Sequence, residues 1–379
     1  MYEEKFLTDL IKSCINDEKI SVNYSSEIDF RAFIRLVDKQ KLHVLAYIGL
    51  IKNNIFKDKV QYLKKEVYKD LLKNSYQEKE TEKLLRIFDQ NDIFCIPLKG
   101  YNLKKLYPSS DMRFLTDFDC LVKKSDYPKI KKILKDTEFI YDKQTVKHLS
   151  YRTPSGLLYE IHGKLYGRFL DENFEKNLFN CKKADGYETI LQLDKENEYL
   201  ITQAHLASHF LSGGIGVRNI IDLYLLNKQD LDRNRLNELL EKYNLKSFNE
   251  KFVKIAKILF DGEPSDEYSD NLINYVFASF MLGDEDRKEL TEIARNYNGD
   301  LKKAKKGSFW RKIYPKYSDM VGIYPVLEKK KWLLPFKHVQ RHFSILFKRK
   351  YQLKKLKKIQ NFSEEEVKNL KNLLEGLGF

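Results

Sequence analysis

One segment constrains the fold of this chain more than any other: residues 113–122, R-F-L-T-D-F-D-C-L-V, place two carboxylates at the head of an apolar run. Side chains alternate faces along a β-strand, so the pattern predicts that Asp117 and Asp119 share one face while Phe118 points into a core. Two acids at that spacing repel each other unless a cation lies between them, and oxygen ligands suit Mg²⁺ or Mn²⁺ better than zinc. A lone D-x-D also fits a turn in which one Asp caps the turn and the other is solvated. The neighbouring segments decide between these two interpretations.

A buried strand, a glycine turn and a helix are predicted directly before this segment. Residues 93–97, I-F-C-I-P, read as the strand, and the Leu and Tyr spacing in residues 101–107 predicts the helix. Gly100 then lies at the junction, where unpaired backbone N–H groups and the positive end of a helix dipole favour phosphate, and the missing side chain lets it approach closely. Lys99 and Arg113 are available to neutralise phosphate charge.

A third carboxylate follows on a later predicted strand. Residues 156–165, G-L-L-Y-E-I-H-G-K-L, alternate with a period of two, so Glu160 and His162 share one face. The interval between the two acidic strands leaves room for a helix over residues 127–134. The predicted order is therefore strand, glycine turn, helix, D-x-D strand, helix, acidic strand.

This order resembles the nucleotidyltransferase superfamily whose best-known member is DNA polymerase beta, and in particular the family known as uncharacterised nucleotidyltransferases. An L-K-G turn, an L-Y followed by an Arg, a D-x-D-x-L-V strand and an acid-x-His carry the resemblance: Leu98, Lys99 and Gly100; Leu106, Tyr107 and Arg113; Asp117, Asp119, Leu121 and Val122; and Glu160 with His162. Residues 204–223, with two histidines before an Arg and an Asp, and residues 314–336 are similar to later segments of that family. The likeness covers most of the chain.

The resemblance implies an α+β fold: a polymerase beta-like nucleotidyltransferase core, which is a small mixed sheet with helices, flanked by N-terminal and C-terminal helical regions. The expected regions are an N-terminal helical region over 1–85, the nucleotidyltransferase core over 86–190, a helical domain over 191–300 and a basic, mostly helical region over 301–379. Near the end, Ser363 with Glu366 three residues later predicts a capping box at the start of a helix.

The chemistry that the resemblance implies is transfer of an NMP from an NTP substrate to an acceptor hydroxyl, with release of pyrophosphate. Two Mg²⁺ (or Mn²⁺) ions would clamp the attacking and leaving oxygens of an in-line displacement. Asp117 and Asp119 would bind both ions, and Glu160 would hold the ion that activates the acceptor. Tyr101 departs from the pattern, since superfamily members generally carry a serine there. The expected ligands of the β- and γ-phosphates are Lys99, Gly100 and Arg113.

Five further residues are expected to line the active site: His162, His205, His209, Arg218 and Asp222. His162 is predicted on the carboxylate face. Three roles are open for it: it orients Glu160, it receives a proton, or it is structural. His205 and His209 stand four apart on a predicted helix, which is a metal-ligand spacing, but no third ligand completes the set, so packing or a lining role is favoured. Arg218 and Asp222 are also four apart; an exposed pair contributes only about 0.2–0.5 kcal/mol and matters more if it faces the nucleotide.

The excess of positive over negative charge lies entirely in the last fifth of the chain. The formal net charge is +14, and residues 301–379 carry 21 Lys and Arg against 6 Asp and Glu. Such a region could bind a nucleic acid, rest on an anionic membrane surface, or form a solvated Lys-rich helical face. A basic amphipathic helix is predicted there, with Val339, Phe343, Leu346 and Phe347 on one side.

The sequence carries no signature of a membrane or secreted protein. No run approaches the roughly 18 apolar residues of a transmembrane segment, and the first residues include acids where a signal peptide carries lysines, so we expect a cytoplasmic protein. The four cysteines lack C-x-x-C spacing, which predicts reduced thiols and no cysteine zinc site.

Two rival functions fit parts of the sequence. A D-x-D glycosyltransferase also binds a nucleotide sugar through a divalent cation, but there the apolar strand leads into the acids, whereas here Cys120, Leu121 and Val122 follow them. A non-catalytic binder of nucleic acid or membrane could use the basic region alone. Within the nucleotidyltransferase hypothesis the acceptor is open among a small molecule, a protein side chain and the end of an RNA, and no segment identifies the base of the NTP.

Overall fold

The computed structural model describes residues 2–22, 24, 28–165, 168–280, 285–347 and 360–379, with the side chains of 285 and 344–347 outside that description. The chain forms two units, residues 1–208 with 215–281 and residues 209–214 with 282–379. The expected α+β fold is confirmed, because helices precede and follow a small mixed sheet. The division into four regions stays a prediction.

The N-terminal region is helical, as its apolar spacing predicts. Its helices are α1 (Tyr2–Ile15), α2 (Phe30–Gln40), α3 (His43–Lys52) and α4 (Gln61–Gln90). Helix α2 begins after Asp29, whose carboxylate accepts hydrogen bonds from backbone N–H groups of the first turn. Helix α4 turns Leu84 and Phe88 towards the sheet, where they join its apolar core.

The sheet has five strands in the order β1-β2-β5-β4-β3. The strands are β1 (Cys95–Leu98), β2 (Asp117–Val122), β3 (Ile140–Gln144), β4 (His148–Arg152) and β5 (Leu158–His162). Strands β2 and β5 run parallel, and the other neighbours are antiparallel. The short helix α5 (Gly100–Leu103) follows β1, and α6 (Tyr127–Leu134) follows β2 as predicted. Parallel pairing requires such a crossover between the two acidic strands.

The two faces of the sheet differ in chemistry because side chains alternate along each strand. One face is apolar: Phe118 and Cys120 of β2 pack with Tyr159 and Ile161 of β5 in a core that α4 and α6 cover. Phe118 is fully buried, so its truncation to Ala costs about 3–5 kcal/mol. The opposite face carries the titratable residues Asp117, Asp119, His148, Glu160 and His162.

Beyond the sheet the chain is helical again, with one small strand pair. The elements are α7 (Glu172–Asn177), β6 (Lys182–Lys183), β7 (Leu191–Gln192), α8 (Lys195–Phe210), α9 (Val217–Asn227), α10 (Arg233–Lys242), α11 (Lys246–Phe260) and α12 (Glu267–Ala278). Helix α9 is buried along nearly its whole length, as expected for a helix that is apolar on most sides. It carries Arg218 and Asp222 into the interior of the first unit.

The second unit consists mainly of the helices α13 (Glu285–Asn296), α14 (Leu301–Ile313), α15 (Tyr317–Ile323), α16 (Leu334–Phe347) and α17 (Glu364–Gly376). The predicted capping box at the start of α17 is confirmed. The Ser363 hydroxyl accepts from the Glu366 N–H, and the Glu366 carboxylate accepts from the Ser363 N–H.

Helix α16 coincides with the predicted basic amphipathic helix. Val339 and Phe343 are exposed, whereas the side chains of Leu346 and Phe347 lie outside the described residues. Among the helices that the structure describes, none combines the length and the apolar character needed to cross a membrane.

Candidate active site

Three carboxylates lie together on one face of the sheet. Asp117 and Asp119 come from β2, and Glu160 of the parallel strand β5 lies directly opposite Asp119. Opposite residues of neighbouring strands point to the same side, so the structure brings the three predicted acids to one face. Their charges act on one another: burial, and then the charge of Asp119, raise the pKa of both Asp117 and Glu160. Close packing of the three acids therefore makes it harder to ionise Asp117 and Glu160 while Asp119 is charged.

Asp119 is the most strongly held of the three acids. Its Oδ1 lies 2.9 Å from Lys99 Nζ and 2.7 Å from His162 Nε2. Burial opposes its ionisation, but the Lys99 ammonium and then the hydrogen bond from His162 outweigh this and hold the pKa of Asp119 well below its usual range. Asp119 is therefore an anion at neutral pH, with Lys99 in the position of a cation beside it.

His148 joins this face, although no sequence motif marked it. It begins β4 opposite His162 of β5, and the two rings meet edge to face with centroids 5.2 Å apart. Its Nε2 lies 3.6 Å from Glu160 Oε1, beyond hydrogen-bonding distance, and has no hydrogen-bond partner among the described residues. Burial and then His162 lower the pKa of His148 to about 4, so the ring is neutral at pH 7. The period-two pattern of residues 148–152, one short turn before β5, is the signal that could have found it.

The turn after β1 has an unusual backbone. Lys99 adopts φ +52° and ψ −124°, a conformation that costs a residue with a side chain about 1–3 kcal/mol. A Cβ on Gly100 would lie 2.6 Å from Arg113 Nη1 and 2.8 Å from Leu115 Cδ2. The missing side chain was expected to let a phosphate approach closely. The structure corrects this reason, because side chains of the protein itself fill the space beside Gly100. The following helix, Gly100–Leu103, is a single turn, so few peptide dipoles add up there.

Arg113 and Asp222 form a buried ion pair. Arg113 Nε and Nη2 donate to the two Asp222 oxygens, both at 2.7 Å, and the Tyr107 hydroxyl donates to Asp222 Oδ1 at 2.8 Å. Burial disfavours the charged guanidinium, but Asp222 outweighs this and raises the pKa of Arg113. The arrangement corrects the expectation that Arg113 is available to a phosphate. It also turns the Asp222 carboxylate towards Arg113 and Tyr107, and a lining role for Asp222 stays a prediction.

Arg218 is a second buried guanidinium close to this pair. Its Nη1 donates to the Phe114 carbonyl at 2.7 Å, while its buried Nε has no hydrogen-bond partner among the residues that the structure describes. Burial and then the charge of Arg113 lower the pKa of Arg218 to about 10, and its own charge acts on Asp117. The charge of Asp222 thus acts on both guanidiniums, but its hydrogen bonds are made with Arg113 and Tyr107.

The two histidines of α8 differ in their relation to the site. The charge of His205, a half-buried residue, is among those that lower the pKa of Asp119, so His205 lies near the acidic face. His209 belongs to the second unit. Within the described parts of the chain, neither belongs to a group of three ligand atoms within 4.8 Å of one another. The lining or packing role expected for the pair stays a prediction.

The donors on this face fit divalent cations. Carboxylate oxygens are the ligands that Mg²⁺ and Mn²⁺ prefer, and burial and then the charge of Asp119 raise the pKa of Asp117 and of Glu160, which a bound cation would lower again. Lys99 Nζ already lies 2.9 Å from Asp119 Oδ1 as a cation. These three acids could therefore hold a divalent ion in the place that the ammonium takes here.

A small mixed sheet with three acids on one face and helices around it is consistent with a nucleotidyltransferase core. The sequence matches the family described as uncharacterised nucleotidyltransferase over residues 26–261, more than half of the chain, and the chain belongs to this family. The family expected from the sequence is thereby confirmed, and membership supports nucleotidyl transfer in general. The matched stretch contains the predicted site residues from Lys99 to Asp222. No curated protein and no solved structure matches the chain.

Proposed function

We propose that this protein transfers an NMP from an NTP to an acceptor hydroxyl and releases pyrophosphate, in a reaction that depends on Mg²⁺ (or Mn²⁺). The register of β2 and β5 carries the proposal, because it puts Glu160 opposite Asp119 with Asp117 on the same face. These three residues would hold the ions. When bound, the ions stabilise charge on the phosphates and lower the pKa of the acceptor hydroxyl.

The three acids differ in protonation, and the difference suits different roles. Asp119 is ionised at neutral pH, so it supplies permanent negative charge to both ions. Asp117 and Glu160, whose pKa is raised, release a proton more readily when a cation arrives to balance their charge. The side chain of Glu160 is 24% exposed and that of Asp119 only 5%. Glu160 is thus the more open acid, and we assign it to the ion on the acceptor side.

The cations beside the acids are proposed to bind the β- and γ-phosphates. Lys99 is displaced from Asp119 when a divalent ion binds, and its ammonium can then reach a phosphate. Arg218 has a buried Nε without a hydrogen-bond partner among the described residues, so we propose that Arg218, more than Arg113, faces the triphosphate. Arg113 packs against Gly100 and so supports the strained turn that presents Lys99.

The proposal is tested by incubating the purified chain with Mg²⁺ and each α-labelled NTP, with RNA, protein or metabolite extract as the acceptor. We expect label in one acceptor class. Asp117→Asn or Asp119→Asn should slow transfer by at least about a hundredfold, because either change removes several kcal/mol of transition-state stabilisation.

A matched control is Asp142→Asn on the edge strand β3. Asp142 is exposed, and its ion pair with Arg152 is long, at 3.9 Å, so its loss should leave transfer unchanged. Equal rates in the wild type and all three variants would contradict the proposal. So would a wild-type protein that transfers label to none of the acceptors.

A further inference from the structure

We propose that His148, Glu160 and His162 form a binding site for Zn²⁺, an ion of different preference from the Mg²⁺ assigned to the carboxylates. The inference goes beyond nucleotidyl transfer, because it needs no nucleotide and depends on His148, which has no part in the proposed reaction. Glu160 belongs to both sites, so an ion bound here would lie next to the reacting groups.

The ligand atoms of the three side chains are already gathered. One ligand atom of each lies within 4.8 Å of the other two. Glu160 Oε1 is 3.6 Å from His148 Nε2, and Glu160 Oε2 is 3.6 Å from His162 Nε2. Ligands at about 2.0–2.1 Å in a tetrahedron around Zn²⁺ lie about 3.4 Å from one another. Small side-chain movements would therefore bring the three atoms to a common ion.

The site is built on hydrogen-bonded strands. His148 of β4 lies opposite His162 of β5, and Glu160 precedes His162 by two residues on the same face. On the other face, Leu149 and Ile161 are fully buried in the core. Strands fixed in this way hold ligands more precisely than loops do. The three donors are thus positioned before any ion arrives.

Two imidazoles and one carboxylate favour a different ion from the one that three carboxylates favour. Imidazole nitrogens suit Zn²⁺ and other transition metals, whereas oxygen ligands suit Mg²⁺. His148 Nε2 is buried and has no hydrogen-bond partner among the described residues, although buried polar atoms nearly always have one. A metal ion would give this nitrogen its missing partner. Three protein ligands also leave a fourth position for water or for an oxygen of a substrate.

One hydrogen bond competes with the ion. His162 Nε2 donates to Asp119 Oδ1 at 2.7 Å, so an ion at this nitrogen must replace that proton, which is released to solvent. Asp119 stays paired with Lys99 at 2.9 Å and is not left alone. The competing state is therefore a single hydrogen bond, since His148 Nε2 has no hydrogen-bond partner in the part of the chain that the structure describes.

The experiment is a titration of the metal-free full chain with Zn²⁺ against a chromophoric chelator, without nucleotide. A parallel titration with Co²⁺ follows its visible absorption. We expect a single Zn²⁺ ion that millimolar Mg²⁺ does not displace, and the intense Co²⁺ absorption of a tetrahedral site. His148→Ala and His148→Gln should each weaken Zn²⁺ binding by at least about a hundredfold, since even residues behind a ligand contribute roughly 10–100-fold.

His338→Ala is the matched control, because His338 lies on α16 of the second unit; it should bind Zn²⁺ like the wild type. Circular dichroism shows whether the His148 variants fold. The Co²⁺ spectrum of the wild type tests the site even if they do not. Unchanged affinity in both His148 variants, ready displacement by Mg²⁺, or no Co²⁺ absorption would overturn the proposal. Zn²⁺ binding without any transfer of label would support this site while contradicting the proposed reaction.

Discussion

Two buried groups of charged side chains lie in the first unit, and they differ in how completely the chain satisfies them. The closed group is Tyr107, Arg113 and Asp222, and the open group is Asp117, Asp119, His148, Glu160 and His162. In the closed group both oxygens of the carboxylate accept short hydrogen bonds, at 2.7–2.8 Å. In the open group, Glu160 has imidazole nitrogens on two sides at 3.6 Å, and His148 Nε2 has no hydrogen-bond partner among the described residues.

The difference separates structure from function. Burial of an ion is costly unless other groups of the protein satisfy it, and the closed group meets that condition without help. In the open group, burial and then the neighbouring charge of Asp119 raise the pKa of Asp117 and of Glu160. A buried group that the chain leaves incomplete is the one where a ligand is expected.

Asp222→Asn should break the closed group and give the largest loss of stability. It leaves the Arg113 guanidinium buried without its counter-charge, which costs about 3–5 kcal/mol in the free energy of unfolding. Urea denaturation measures this loss. The double variant Arg113→Met/Asp222→Leu should recover part of it, since the Arg113 guanidinium is then no longer buried without its counter-charge. A loss no larger than the roughly 0.5 kcal/mol of the surface variant Asp142→Asn would show that the group is not closed.

Gly100→Ala tests the contact between the closed group and the Lys99 turn. The new Cβ would meet Arg113 Nη1 at 2.6 Å, and the guanidinium cannot move without lengthening its bonds to Asp222. We expect a loss of about 1–3 kcal/mol in the free energy of unfolding. In the control, Gly307→Ala on α14, nothing lies within 4 Å of the added Cβ, so a gain of about 0.5–1 kcal/mol is expected. Equal changes in the two variants would contradict the steric explanation.

Glu160→Gln, in the open group, should raise the free energy of unfolding, whereas the variants of the closed group lower it. It removes a carboxylate directly opposite Asp119, where like charges repel, so the metal-free protein should gain about 0.2–1 kcal/mol at pH 7. Nucleotidyl transfer should fall in the same variant. Urea denaturation in the presence of a chelator measures the gain. A loss of stability instead would mean that the chain itself satisfies Glu160, and the contrast between the two groups would fail.

His43, with Asp70 and Asp38, forms a second closed group, whose contribution to the free energy of unfolding should depend on pH. This effect should be the smallest, because solvent screens the half-exposed Asp38. His43 Nδ1 lies 2.7 Å from Asp70 Oδ2, and Nε2 lies 2.8 Å from Asp38 Oδ1. Burial lowers the pKa of His43, but the bonds to Asp70 and then Asp38 outweigh this and raise it above 6.5. This stabilisation is therefore complete below the unfolded-state pKa and is lost as pH rises through the folded-state pKa.

Urea denaturation of the wild type and of His43→Gln, near pH 6 and near pH 9, measures this effect. The wild type should exceed the variant by more at the lower pH. A difference that grew with pH would reverse the sign and show that His43 is neutral in the folded protein.

Local periodicity in the sequence was sufficient to predict the acids. Asp117 and Asp119 share a face because strand side chains alternate, and Glu160 follows from the same period two in a second strand. The helix over 127–134 between these strands was also predictable from its apolar spacing. Each of these features depends on neighbours within about ten residues, which is the range over which sequence patterns specify structure.

The partners of the charged residues could not be predicted in the same way. Arg113 and Asp222 are 109 residues apart, and nothing in the spacing of either indicates that they meet. His148 reaches the acidic face through the pairing of β4 with β5, so its role depends on a register and on no motif of its own. The sequence does not show that the Arg113 side chain lies beside Gly100, because tertiary structure sets that position. Gly100 was therefore expected to make room for a ligand.

The parallel pairing of β2 with β5 also determines when the acidic face can form during synthesis. Asp119 leaves the ribosome about forty residues before Glu160, and the intervening helix and hairpin must close into a loop before the strands can pair, a slow entropic step. Lys99 is synthesised earlier still, so the D-x-D pair can gain its ammonium neighbour as soon as β1 pairs with β2. Nascent chains that stop short of β5 would then lack the residue opposite Asp119, so the face with three carboxylates would form only late in folding.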